Sequence, residues 1–346
     1  MASHESVPAS WLHDHDKGGG NRVALCQALC HRPASNEVDV HMLPNQQIDS
    51  RDWLLLIGLS VMWGASFFFN GVSLRELPPM TIVFLRVALA AAILFGVTLI
   101  YRVALPRSVS EWLPFVAMAA LNNIIPFSLV VVGQAMIASG LAAIANATTP
   151  LFTVIIMAVA REEPLLPRRV LGVVIGLSGV VILQGGVEIV SSQNTGILLC
   201  LAASVSYGLS ALYARRRLMH VPPLAAATSQ LMASTLMMAF IVLAVDRPWE
   251  MTLPGLATVL AVVGSASFST ALAYVVFFQI IKRSGSTNVM LVTLLIPVTA
   301  VMLGTLLLGE TIRPIEVVGA LVIAGALLII DGRLLGRLRP TRTPAG

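Results

Sequence analysis

From Trp53 to Asp331 the chain alternates long apolar runs with short polar breaks. Each run approaches the roughly 20 residues a helix needs to cross a bilayer. The pattern predicts ten spans, at about 53–73, 80–101, 112–133, 138–160, 168–187, 195–214, 223–245, 255–280, 285–308 and 314–331. The breaks contain Pro78-Pro79, Pro106, Pro164, Pro167, Pro222-Pro223, Pro254 and Pro314, residues that start or stop helices. The predicted class is an all-α membrane protein.

One element of the pattern occurs twice. Ser139, Pro150 and Glu163 recur 147 positions later as Ser286, Pro297 and Glu310. A proline inside a span removes one hydrogen bond and frees the carbonyl four residues earlier. Those carbonyls belong to Asn146 and Thr293. In lipid, freed backbone is tolerated only inside the protein or beside a water-filled cavity. The pair therefore reads as kinked helices facing a polar interior, or as plain kinks packed in the bundle. Other signatures match as well. Trp63-Gly64-Ala65-Ser66 corresponds to Tyr207-Gly208-Leu209-Ser210, Pro78-Pro79 to Pro222-Pro223, and Pro167 and Gly172 to Pro314 and Gly319. Five spans per half is an odd number, so the second half enters the membrane from the opposite side. The expectation is two inverted-topology five-helix repeats, an arrangement common in secondary transporters. The domain division expected is a polar extension at 1–52, repeats at 53–187 and 195–332, and a basic tail at 333–346.

Polar residues within the spans are mostly neutral. The expected substrate cavity is lined by Trp63, Ser66, Asn122, Asn146, Thr149, Pro150, Tyr207, Ser210, Tyr274, Asn288, Thr293 and Pro297. Trp63 and Tyr207 fit an interfacial aromatic belt equally well. Pro126 repeats the proline/polar pairing by freeing the carbonyl of Asn122. Asn146 and Thr293 are expected to share one cavity, with Asn122 or Tyr274 nearby. Arg86 lies a few residues into the second span, and its head is expected to snorkel to the interface. Gly172, Gly176 and Gly179, and likewise Gly319 and Gly325, suit close helix contact within the bundle or between protomers of a homodimer.

Composition confirms the class. The chain is 57% hydrophobic and only 11% charged, against roughly one quarter charged in soluble domains. The net charge of +5 does not imply nucleic acid, because the basic residues fall between spans. They also orient the chain. With the first span leaving the cytoplasm, the inside segments carry Arg102, Arg107, Arg161, Arg168, Arg169, Arg215, Arg216, Arg217, Lys282, Arg283 and the tail arginines. The outside loops carry only Arg75, Arg247 and Arg313, so both termini are predicted cytoplasmic. Residues 1–50 are polar and show neither a period nor the apolar core of a secretory signal. Their His13-Asp14-His15 and Cys26…Cys30-His31 match no standard zinc spacing, and the segment reads as a disordered tail or an upstream start. No metal site and no cofactor is expected. An intramembrane serine protease is excluded: Ser178 in Gly176-Leu-Ser178-Gly has no base, since His220, the histidine beyond residue 50, lies in a loop.

Taken together, Trp63-Gly64-Ala65-Ser66-Phe67, Phe84-Leu85-Arg86, Ala145-Asn146 with Pro150, Glu163, Ile296-Pro297 and Leu308-Gly309-Glu310 resemble the EamA-type members of the drug/metabolite transporter superfamily. The resemblance covers about residues 53–332. It implies a ten-helix inverted-repeat carrier of a bacterial inner membrane, with a cavity between spans one, three, four, six, eight and nine. It also implies export of amino acids, other metabolites or toxic compounds. Arg161-Glu162-Glu163 departs from the family's Gly-Glu ending of the first repeat. The small four-span relatives carry a glutamate in their first span; this chain has none there, so their cation/proton exchange is not implied. The expected function is alternating-access export of a small neutral or zwitterionic metabolite across the inner membrane, with the substrate and the lipid bilayer as partners. A carrier or flippase for a lipid-linked or sugar-linked substrate is the alternative, and a membrane enzyme is less favoured.

Overall fold

A computed structural model of the chain describes residues 50–164, 166–183, 192–284 and 286–331. The polar extension and the basic tail lie outside them. All regular structure among the described residues is helical. In the first half, α1 is Ser50–Ser73, α2 Pro79–Ile100, α3 Val109–Gln134, α4 Ser139–Val159 and α5 Pro167–Leu183. In the second, α6 is Ser192–Arg217 and α7 Pro223–Val245. Helix α8 joins Leu256–Ala266, Ser267–Leu272 and Ala273–Ser284; α9 joins Ser286–Leu303 and Gly304–Leu308; α10 is Pro314–Asp331. Seven of these, α1 to α4 and α6 to α8, are long and apolar enough to cross a membrane, and α9 and α10 contain shorter apolar stretches. Large apolar side chains such as Leu54, Leu99, Leu236, Phe240 and Leu260 stand exposed around the bundle. Apolar exposure on this scale marks a surface made for lipid, and the molecule is a multi-pass membrane protein.

Helix ends follow local chemistry. Helices α2 and α7 both begin on a Pro-Pro pair whose first proline is extended, because a residue before proline avoids the helical region. The chain leaves α2 and α7 through Arg102 (φ 53°) and Arg247 (φ 48°), and leaves α4 and α9 through Arg161 (φ 58°) and Gly309 (φ 70°). Left-handed residues close helices in this way. Arg161 thus adopts a conformation that the second half gives to a glycine.

Packing is the same when the halves are exchanged. Helix α1 packs on α8 and α9, and α6 on α3 and α4; α2 packs on α8, and α7 on α3. The remaining main pairs, α2–α7, α4–α9 and α5–α10, each join counterparts. In lipid no hydrophobic force pulls helices together, so close backbone contact and interhelical hydrogen bonds matter more. The α5–α10 pair shows this. A Cβ on Gly319 would sit 2.9 Å from the Leu183 Cα and 3.0 Å from the Gly179 carbonyl. The glycine stripe of α5 therefore works within the bundle, Gly172 and Gly179 against α10 and Gly176 against Leu151 of α4.

Three helices carry wide π turns among the described residues, α9 at its end (Gly304–Leu308) and the other two at matched places. Ala120–Ile124 interrupts α3 and Ser267–Leu272 interrupts α8, with starts 147 positions apart. Helix α4 is broken between Ser139–Asn146 and Thr149–Val159. Its counterpart α9 runs helically through Pro297, so the two prolines do not act alike. Thr148 and Thr149 donate their hydroxyls to the carbonyls of Ala145 (2.7 Å) and Asn146 (2.7 Å), which competes with the helix ladder. The corresponding residues of α9 are Leu295 and Ile296, which have no hydroxyl to offer.

Candidate functional site

The two π turns face a polar cluster built from both halves. Pro126 follows the α3 turn. In the wider π register its missing N–H falls opposite Leu121 rather than Asn122. The Leu121 carbonyl accepts the Ser206 hydroxyl of α6 at 2.7 Å. The carbonyl of Asn146, freed by Pro150, accepts the Thr149 hydroxyl and lies 3.2 Å from the Ser204 hydroxyl of α6, whose single proton is also 3.2 Å from the Cys200 carbonyl. Serines of α6 thus stand against backbone released in α3 and α4.

The π turn also points two asparagines inward. Asn122 Nδ2 donates to Tyr274 Oη at 3.1 Å and to Gln230 Oε1 at 3.3 Å. Its Oδ1 lies 3.1 Å from the Ser210 hydroxyl, whose single proton is also 2.7 Å from the Tyr207 carbonyl. Gln230 Nε2 donates to Tyr274 at 3.3 Å. The fully buried Asn123 donates to Ser234 at 2.9 Å. The network joins α3, α6, α7 and α8.

Beside it lies a cation. Arg86 is 7% exposed. Its Nε donates to Thr270 Oγ1 and its Nη1 to Ser66 Oγ, both at 2.9 Å, and its guanidinium carbon stands 4.1 Å from the centre of the Phe127 ring. Thr270 passes its own proton to the Ser265 carbonyl at 2.9 Å, which leaves its lone pairs for Arg86. Arg86 therefore does not snorkel, because its face of α2 packs into the bundle with Val83, Val87 and Ala90.

The two ends of the bundle are tied differently. At one, Glu310 accepts from the amides of Ser139 (2.9 Å) and Gly140 (3.3 Å), where α4 begins. Asp246 accepts from the Thr81 amide (2.7 Å) in the first turn of α2, and Glu76 from the Gly255 amide (2.7 Å) at the start of α8. At the other end Glu163 pairs with Arg169 and Arg215, both at 2.7 Å, and Glu162 pairs with Arg216 at 2.7 Å.

Of the residues singled out from sequence, Asn122, Ser210 and Tyr274 share one network. Ser66 holds Arg86, and the Tyr207 carbonyl accepts the Ser210 hydroxyl. Asn146, Thr149 and Pro150 form the α4 break. Trp63 packs against Phe277 with ring centres 5.6 Å apart. Thr293 and Pro297 are half-buried on α9, which packs against α4. The side chain of Asn288 lies outside the described residues. Sequence reasoning missed the inward role of Arg86 and did not choose Gln230 or Thr270. The available signal for the arginine was the small residue Ala90, one turn on along the same helix face, since small residues suit close helix contact.

Comparison with known proteins agrees with this architecture. A chain of known structure shares the fold at a TM-score of 0.61 with 19% identity, covering 83% of this chain and 98% of that one. "Uncharacterized inner membrane transporter YedA" of Escherichia coli (strain K12) is 28% identical over 84% of this chain and 94% of its own length. "Probable amino-acid metabolite efflux pump" of Salmonella typhimurium is 24% identical over 81% of this chain and 94% of its own length. The model of the EamA-like transporter family matches twice, over residues 52–184 and 194–331. With each half carrying one such match, the chain belongs to the EamA-like transporter family.

Proposed function

We propose that this protein is an alternating-access exporter of a small neutral or zwitterionic metabolite, such as an amino acid, across the bacterial inner membrane. The observation that carries the reading is the polar network at the matched π turns, contributed by both halves. π turns recur at functional sites. The names of the two relatives, an inner membrane transporter and an amino-acid metabolite efflux pump, point the same way. Under this reading the matched five-helix halves are inverted, and the residues named from sequence, Asn288 apart, border one cavity. The buried Asn146 Oδ1 has no hydrogen-bond partner among the described residues and is an acceptor for a substrate ammonium group. The Glu310 end faces outward and the Glu163 end faces the cytoplasm. The two sets of interhelical ties open in turn.

Reconstitution in liposomes tests the function. Labelled amino acids and related metabolites are screened under several ion gradients, and at least one should move. Asn122→Ala should lower that flux at least tenfold while leaving the amount of folded protein unchanged, because single interhelical hydrogen bonds are worth only about 0.6–2 kcal/mol. Absence of any flux would overturn transport. Orientation is checked with a reporter active only in the cytoplasm. It should be active after Arg107, Arg217 or Gly346 and silent after Glu188 or Arg247, and a reversal at two sites would overturn the assigned sidedness.

One observation favours the alternative of a lipid-linked substrate. A cavity of about 470 Å³, lined by apolar residues including Leu77, Phe84, Leu85, Val242 and Leu243, lies between α2 and α7. A lipid-scrambling assay on the same liposomes separates the two.

A further inference from the structure

We infer that Arg86 is the anion-binding element of the cavity and that the transported compound carries a carboxylate. The inference rests on the transport reading above and narrows its substrate class. A charge buried in a bundle is costly unless it is paired, yet Arg86 has no carboxylate partner among the described residues. The ion pairs found there all lie at the helix ends. Two hydroxyls and one aromatic face hold the guanidinium in place. They occupy Nε and one Nη1 hydrogen, and Nη2 donates to no group among the described residues. A fixed planar fork with free donors suits the two oxygens of a carboxylate.

Charge balance selects the class. Arg86 is the one buried cationic side chain among the described residues of the spans, so the site offers a single positive charge. A carboxylate neutralises it. A phosphate ester, carrying nearly two negative charges, would need a second cation. For a zwitterion, the ammonium would meet neutral oxygen acceptors, since the interior network is made of amides and hydroxyls. Arg86 joins helices of both halves, with Ser66 on α1 and Thr270 on α8. A bound carboxylate would therefore sit where the two halves meet.

The experiment is a thermal-shift series on the purified full-length protein. Each neutral proteinogenic amino acid is compared with its own carboxamide, which keeps the amine and removes the negative charge; inorganic phosphate is included. A ligand that binds only the folded state raises the transition temperature. At least one amino acid should stabilise the protein at millimolar concentration while its carboxamide does not. Arg86→Gln should abolish that response, and Arg86→Lys should retain it with affinity reduced at least tenfold. Equal stabilisation by acid and carboxamide would overturn the inference, as would a full response in Arg86→Gln, stabilisation by phosphate alone, or no response to any amino acid. The acid–carboxamide comparison in the wild type decides the matter even if Arg86→Gln does not fold. Transport of an uncharged solute in the liposome screen would leave the transport reading standing and remove this one.

Discussion

At the Glu310 end the halves are joined by carboxylates resting on backbone amides, and at the Glu163 end by carboxylates facing arginines. Glu310, Asp246 and Glu76 each reach a helix beginning in the opposite half. The amides at those starts lack partners within their own helices and carry the positive end of the helix dipole. Glu162 and Glu163 instead meet Arg215 and Arg216, whose side chains are 42% and 52% exposed. The two glutamates 147 positions apart thus occupy matched places in the repeat but do different work. A tie to backbone cannot be lost by changing its donor residue, whereas a tie between side chains depends on both partners and on the ions around them. The Glu163 end is therefore expected to open more easily.

The largest effect should come from Glu310→Ala. It leaves two amides at the start of α4 without their acceptor, and loss of a comparable cap costs about 0.5–2 kcal/mol. Unfolding in detergent should register this loss, and Glu163→Ala should cost less. A cost for Glu163→Ala equal to or above that of Glu310→Ala would break the comparison. A smaller effect is expected from Arg215→Ala, because exposed ion pairs are worth about 0–1 kcal/mol. Its cost should shrink as salt is raised toward roughly 0.5 M, where exposed charges feel one another over only about 4 Å. The cost of Glu310→Ala should change little over the same range. Equal salt sensitivity of the two variants would show that both ends are held by exposed charge.

The helices and the matched prolines and glutamates were legible in the sequence, because a bilayer imposes run lengths and tolerates few polar interruptions. The inward face of Arg86 was harder to see. In a membrane the lipid-facing and packed sides of α2 are both apolar, so hydrophobic pattern does not distinguish them. Only the small residue Ala90, one turn on, hinted at a packed face. The π turn of α8 has no proline to announce it; its signs are Ser267 and Thr270, which bond to the carbonyls of Val263 (2.6 Å) and Ser265 (2.9 Å). The expected symmetry of Pro150 and Pro297 failed at the residues before them, where threonines stand in α4 and aliphatic residues in α9.

The serines of α6 also bear on how the protein is made. Helix α4 leaves the ribosome with the Asn146 carbonyl still lacking Ser204, which follows 58 residues later. At typical synthesis rates that interval is on the order of 3–12 s. During it, α3 and α4 lack the hydroxyls that α6 supplies to the backbone at Leu121 and Asn146. Nascent chains stalled between α4 and α6 should be preferred targets of membrane proteases, and the first half expressed alone should be rescued by co-expression of the second.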